Sequence, residues 1–204
     1  MSNFIYVVFS STPYKIGKAI RCITGESYNH VSIALDAELT QMYSFARRYY
    51  RTPFYGGFVK ESLSRYQLNG NCANICICKI PVTNQQYKRV STRMRQMLRK
   101  NDIYLYNHIS ILGTLVKRPI KTKGAYTCAE FCVLILNELG YDLDPSRYYS
   151  LGALENKLRK YAVYTGQAPS AECYDTEFYA KKPTNYPAFK TLRDFFRLIP
   201  RIGA

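Results

Sequence analysis

Residues 28–45 read YNHVSIALDAELTQMYSF, Tyr28 to Phe45. Val31, Ile33 and Leu35 alternate with His30, Ser32 and Ala34. A period of two predicts a strand with one aliphatic face and one small, polar face. Asp36–Glu38 reads as a turn, and Thr40–Phe45 returns as a second strand. The stretch is therefore a β-hairpin, with a histidine at the start of its first strand.

Outward from the hairpin, Phe4–Phe9 is a short apolar run and reads as a buried strand. Thr12-Pro13 predicts an N-cap followed by Pro at the first helical position. Ile16, Ile20 and Ile23 follow at helical spacing, and Gly25 closes that helix. Residues 46–66, ARRYYRTPFYGGFVKESLSRY, read as a loop broken by Pro53 and Gly56-Gly57. Ala73–Val82 is a strand. Asn84–Lys100 is a helix with Tyr87, Val90, Met94, Met97 and Leu98 on its apolar side. Thr127–Leu139 is the most apolar helix of the chain, ends at Gly140, and belongs in the core. Pro145, Pro169, Pro183 and Pro187 mark irregular connections later on. The reading is one domain over residues 1–204, of class α+β, with 165–204 an irregular C-terminal extension.

The 204 residues carry 29 Lys/Arg and 14 Asp/Glu. Residues 1–125 hold 19 of the cations against 5 acids, 19 − 5 = +14. That balance favours an anionic partner without choosing one. The longest apolar run, Phe131–Leu136, falls far short of the roughly 20 residues of a membrane-spanning helix. The apolar N-terminus has no cationic leader segment before Lys15 and reads as a strand, not a signal peptide. Seven cysteines, an odd number, in a chain long enough for its own core argue against a disulfide scaffold. Free thiols and no leader point to a cytoplasmic location.

Only His30 and His108 can serve imidazole chemistry. Reactive thiols arise where a helix N-terminus and a histidine lie beside the sulfur. Thr127-Cys128-Ala129-Glu130 has the capping-box form directly before the apolar helix, which puts Cys128 at the first helical position. No other cysteine has that context. His108 reads as structural, and Glu130 as a cap. Cys72, Cys76 and Cys78 form C-x3-C-x-C without the second pair that a zinc site uses, so no metal is expected. Cys76, Cys78 and Ile80 share one strand face. Arg47, Arg48, Arg51 and Arg65 interleave with Tyr49, Tyr50, Phe54, Tyr55, Phe58 and Tyr66 as a basic-aromatic patch. Such a patch would suit nucleic acid, an anionic polymer or a cleft border, but no nucleic-acid motif accompanies it and nucleic acid is not expected.

YNHVSIALD, followed about a hundred residues later by YTCAEFCVLIL, resembles the permuted papain-like amidases, the YiiX/YycO-like branch of the NlpC-type cysteine peptidase superfamily. The matching stretches are Asn29-His30-Val31-Ser32-Ile33 and Cys128-Ala129-Glu130-Phe131-Cys132. FSSTPYKIGKAIRCITG, MYSFARR and the segment at Tyr164-Thr165-Gly166 extend the likeness over roughly residues 3–170. Ala129 departs from the Ser that relatives often carry. The resemblance implies a circularly permuted papain-like fold, an antiparallel sheet packed on a buried helix that carries Cys128. It implies a cysteine hydrolase, a peptidase or amidase, or else an acyltransferase, without cofactor, acting on a peptide-like amide or an ester, with an acyl-lipid substrate as the other class. Cys128 would be the nucleophile, with its backbone N–H in the oxyanion hole, and His30 the base. Pairing across the turn puts residues 43–45 opposite His30, so Ser44, or else Tyr43, would orient the ring. Relatives more often use a carboxylate, an amide or a second His there. Arg47, Tyr49, Tyr50 and Tyr126 would border the substrate groove. The alternative function is a non-enzymatic module that binds nucleic acid or an anionic polymer through patch 46–66.

Overall fold

The computed structural model of the chain describes residues 3–110, 120–171, 175–179 and 186–203. Its centre is an eight-stranded sheet in the order β10-β7-β1-β2-β3-β4-β8-β9. These strands are β1 (Asn3–Ser10), β2 (His30–Ala34), β3 (Met42–Arg47), β4 (Gly56–Glu61), β7 (Asn74–Val82), β8 (Leu105–Tyr106), β9 (Ala125–Tyr126) and β10 (Ala162–Gln167). The short pair β5 (Gln67–Leu68) and β6 (Asn71–Cys72) stands apart. Neighbours are antiparallel except β8 and β9, which run parallel, so the sheet is mixed.

The hairpin forms as the alternation predicts. Ile33 faces Tyr43 across β2 and β3. Asp36 fixes the turn by accepting from the Thr40 and Gln41 amides at 2.9 and 2.8 Å. Val31, Ile33, Tyr43 and Phe45 enter the core with Phe131 and Cys132. Those two belong to α3 (Cys128–Glu138), which lies against β2 and β3. The same core takes Val90, Met94 and Met97 from α2 (Asn84–Arg99), leaving its cations outside, and Cys76, Cys78 and Ile80 from β7. α1 (Lys15–Thr24) and α4 (Leu151–Leu158) complete the body.

Three expectations are corrected. Residues 46–66 are not one loop: they contain β4 and a 3₁₀ turn, Leu63–Tyr66. Gly56 and Gly57 are not breakers but points of close approach. A Cβ on Gly56 would sit 2.8 Å from Tyr106 Cβ, and one on Gly57 would meet the Tyr104 carbonyl. Thr12 does not cap α1, because its hydroxyl accepts from Asn29 Nδ2 at 2.7 Å, and the helix starts after Tyr14. The C-terminal segment is not wholly irregular: α5 (Thr176–Tyr179) and α6 (Tyr186–Leu198) are helical, with Pro187 in the first turn of α6. Pro183 and Cys173 lie outside the described residues.

Much of the basic-aromatic patch is packed against the fold, while Arg51 and Phe54 stay exposed. Arg47 lies 4.5 Å over the Tyr14 ring, and Arg65 lies 4.4 Å over Phe178 while pairing with Asp175 at 2.6 Å. Arg48 donates to the Asn101 carbonyl at 2.6 Å. Among the described residues no helix is long and apolar enough to cross a membrane. Cys22, Cys72, Cys76, Cys78, Cys128 and Cys132 are free thiols.

Candidate active site

The start of α3 is built by a complete capping box. The Thr127 hydroxyl accepts from the Glu130 amide at 3.2 Å, and the Glu130 carboxylate accepts from the Thr127 amide at 2.7 Å. Ser110 Oγ donates to the other Glu130 oxygen at 2.5 Å and pins it. Glu130 is thus a cap, as its spacing predicts. Cys128 follows as the first helical residue, 7% exposed, where helix geometry leaves backbone N–H groups without intrahelical acceptors.

His30 reaches this point from the other side of the cleft. The chain is anchored just before it: the Asn29 amide donates to the Ser10 carbonyl at 3.1 Å, and the Asn29 side chain joins Thr12 and Arg21. A Cβ on Gly17 would collide with Thr12 and Asn29, so only glycine lets α1 close on this segment. Cys128 lies near enough to the His30 ring for its sulfur to favour the charged imidazole. Its Nε2 lies 2.8 Å from Glu61 Oε1, at the end of β4. That leaves Nδ1 as the nitrogen available to the thiol.

Glu61 is therefore the residue that holds the ring, in place of the expected Ser44 or Tyr43. β3 and β4 pair Met42 with Glu61 and Ser44 with Val59, so Glu61 and Ser44 share a face as diagonal neighbours. Ser44 donates to Glu61 Oε1 at 2.5 Å, not to the ring. Ser32 and Tyr66 donate to Oε2 at 2.8 and 2.9 Å. Tyr43 points into the core on the opposite face and stacks on Phe58 at 6.0 Å. The small, polar face of the hairpin thus cradles a buried carboxylate.

Electrostatics follow from that cradle. Burial alone would lower the His30 pKa. The Glu61 charge, the Cys128 sulfur and the hydrogen bond to Glu61 outweigh it and raise the value to about 10. Burial would raise Glu61, but the His30 charge, the His30 hydrogen bond, Arg65 and Ser44 hold it well below the usual carboxylate range. The two form an ion pair whose side chains are only 12% and 2% exposed. Burial and the Glu61 charge raise the Tyr66 phenol, so it stays protonated and donates.

Two clefts flank the dyad. One, about 160 Å³, is lined by His30, Glu61, Arg47 and Tyr106 among others. The second, about 250 Å³, is lined by Cys128, Ile20, Ile23, Val133, Tyr149 and Leu151 among others. Tyr106 and Ile20 border both. Of the expected groove residues, Arg47 lines the His30 cleft. Tyr49 stacks on Tyr55 at 5.8 Å, Tyr50 packs against Tyr14 and Phe178, and Tyr126 packs on Phe45 at 5.2 Å, so these three line neither cleft. Tyr106 is the cleft residue that sequence reasoning missed. His108 lines the His30 cleft 4.8 Å from the Tyr106 ring, and burial lowers its pKa. Its Nε2 is buried without a hydrogen-bond partner among the described residues. No protein-family model, curated protein or solved structure matches the chain.

Proposed function

We propose that the protein is a cysteine hydrolase of the permuted papain-like kind, acting on an amide or ester carbonyl through a thioester acyl-enzyme. One observation carries this reading: a buried carboxylate, Glu61, orients His30 beside Cys128 at a capped helix N-terminus. Nucleophile, base and orienting group then stand in the chain of contacts that acyl transfer requires. A carboxylate at the third position is also what the resemblance leads one to expect, and it removes the departure that Ser44 presented.

In this mechanism the Cys128 proton already rests on His30, an imidazolium paired with Glu61, and the sulfur attacks the carbonyl carbon as the thiolate. The backbone N–H of Cys128 stabilises the oxyanion. His30 gives the proton to the departing amine or alkoxide, leaving the thioester. Water, deprotonated by His30, hydrolyses it and restores the thiolate beside the imidazolium. Glu61 keeps the ring aligned and stabilises the imidazolium throughout. The apolar lining of the Cys128 cleft favours an acyl group with apolar side chains, peptide-like or fatty.

Incubation with an activated short-chain acyl ester tests the reading. Mass spectrometry should find one acyl adduct, on Cys128, absent from Cys128→Ser. An adduct on another cysteine, or none while a small thiol in the same buffer is acylated, would sink it. For the binding-module alternative, Arg47, Arg48 and Arg65 are engaged within the fold, and Arg51 and Phe54 are the exposed part of the patch.

A further inference from the structure

We propose that the outer face of α6 docks the protein on an anionic lipid bilayer. The helix is anchored along one side only. Leu198 is buried against Leu105 and Ala125, and Asp194 is buried beneath the helix. The 3₁₀ turn that follows, Ile199–Arg201, is tied down by Lys123 N–H donating to the Arg201 carbonyl at 3.1 Å and by Arg201 donating to the Ile103 carbonyl at 3.0 Å.

The remaining circumference divides into two arcs. At about 100° per residue, Phe189, Leu192, Phe195, Phe196 and Ile199 fall within one sector of about 120°. All five are exposed, Phe189 by 70% and Phe196 by 60%. Lys190, Arg193 and Arg197 occupy the adjoining sector. Arg193 and Arg197 are held there by Asp194, at 3.1 and 3.4 Å. Residues 186–203 carry four cations against one acid, 4 − 1 = +3. An arc of phenylalanines edged by arginines matches a bilayer interface, where rings enter the acyl boundary and cations meet the phosphates.

Charge decides among occupants. A second copy docked on this face would bring together two chains that each carry a net charge of +15. A nucleic-acid backbone would pair the cations but leave Leu192 and Ile199 in water. The location adds continuity. A cleft of about 550 Å³ opens beside α6 and is lined by Leu192 and Phe195 of the apolar arc together with Pro53 and Phe54. It shares Phe54, Gly56, Tyr106 and His108 with the cleft that holds His30. Docking by α6 would set that opening towards the lipid.

The inference stands on α6 and not on the reaction, so Cys128→Ser should dock like the wild type. Co-sedimentation with vesicles of equal parts phosphatidylglycerol and phosphatidylcholine, against phosphatidylcholine alone, tests it. The wild type should partition onto the anionic vesicles, less so at high salt. The exposed pair F189S/F196S should lose at least about tenfold in partitioning, at unchanged circular dichroism. R193Q/R197Q, which leaves the apolar arc intact, should lose the preference for anionic over neutral vesicles. The proposal is overturned if the wild type stays in the supernatant, or if both double variants bind as it does. It is equally overturned if light scattering finds a dimer that F189S/F196S converts to monomer.

Discussion

His30 Nε2 and Glu61 Oε1 stand 2.8 Å apart, joining the first strand of the hairpin to the end of β4 across the intervening strand β3. The carboxylate is completed by Ser44, Ser32 and Tyr66, so its acceptor sites are filled by donors that the fold holds in place.

Glu61→Gln keeps the shape and removes the charge. Without it, burial dominates the His30 ring and its affinity for a proton falls. Alkylation of Cys128 near neutral pH should slow by about two orders of magnitude, in the range of lost acid–base assistance. Glu61→Ala, which removes one partner of a buried ion pair and the acceptor of three hydroxyls, should also cost about 3–5 kcal/mol of stability in urea melts.

Ser44→Ala separates two roles for that serine. As a donor to a buried carboxylate, it should cost about 1.5–3 kcal/mol in stability. The alkylation rate should fall far less than in Glu61→Gln. The reverse order of the two rates would make Ser44 the partner of the ring.

Stability should depend on pH with a definite sign. His30 is raised from 6.5 to about 10, so its contribution is complete below 6.5 and is lost as pH climbs through about 10. Glu61 is depressed from 4.5, so its contribution is complete above 4.5 and is lost as pH falls through its lowered value. Melting temperature should therefore form a plateau between those limits. The difference between wild type and His30→Gln should shrink at both ends of it.

The hairpin, the core face of α2 and the capped start of α3 were legible in the sequence. Each is written in local periodicity or cap spacing, which neighbours in the fold do not override. Glu61 was not legible. Gly56-Gly57 has the composition of a breaker, yet those glycines exist because β8 approaches β4 too closely for a side chain. With residues 46–66 read as a loop, no strand lay beyond β3 to supply an acid, and Ser44 became the nearest polar residue. Tyr106 was missed for a related reason, since a strand of two residues leaves no period to read. Tyr126 was misplaced because it sits beside Cys128 in sequence while its ring turns into the core.

Gly57→Ala probes that misreading directly. The added methyl would press on the Tyr104 carbonyl and the Arg48 guanidinium. A loss of about 1–3 kcal/mol is expected in a urea melt, as for other overpacked sites. A neutral substitution would mean that β4 and β8 are not in this contact.

The central claim, a thiol activated by His30, is tested most directly by competitive alkylation at about pH 6, read by peptide mass spectrometry across all seven cysteines. Exposed Cys22, which lies in the last turn of α1 and not at a helix N-terminus, should be slow there. Buried Cys128 should be modified first, and His30→Ala should abolish its lead. Modification in order of exposure, with Cys22 ahead and Cys128 inert, would contradict the account.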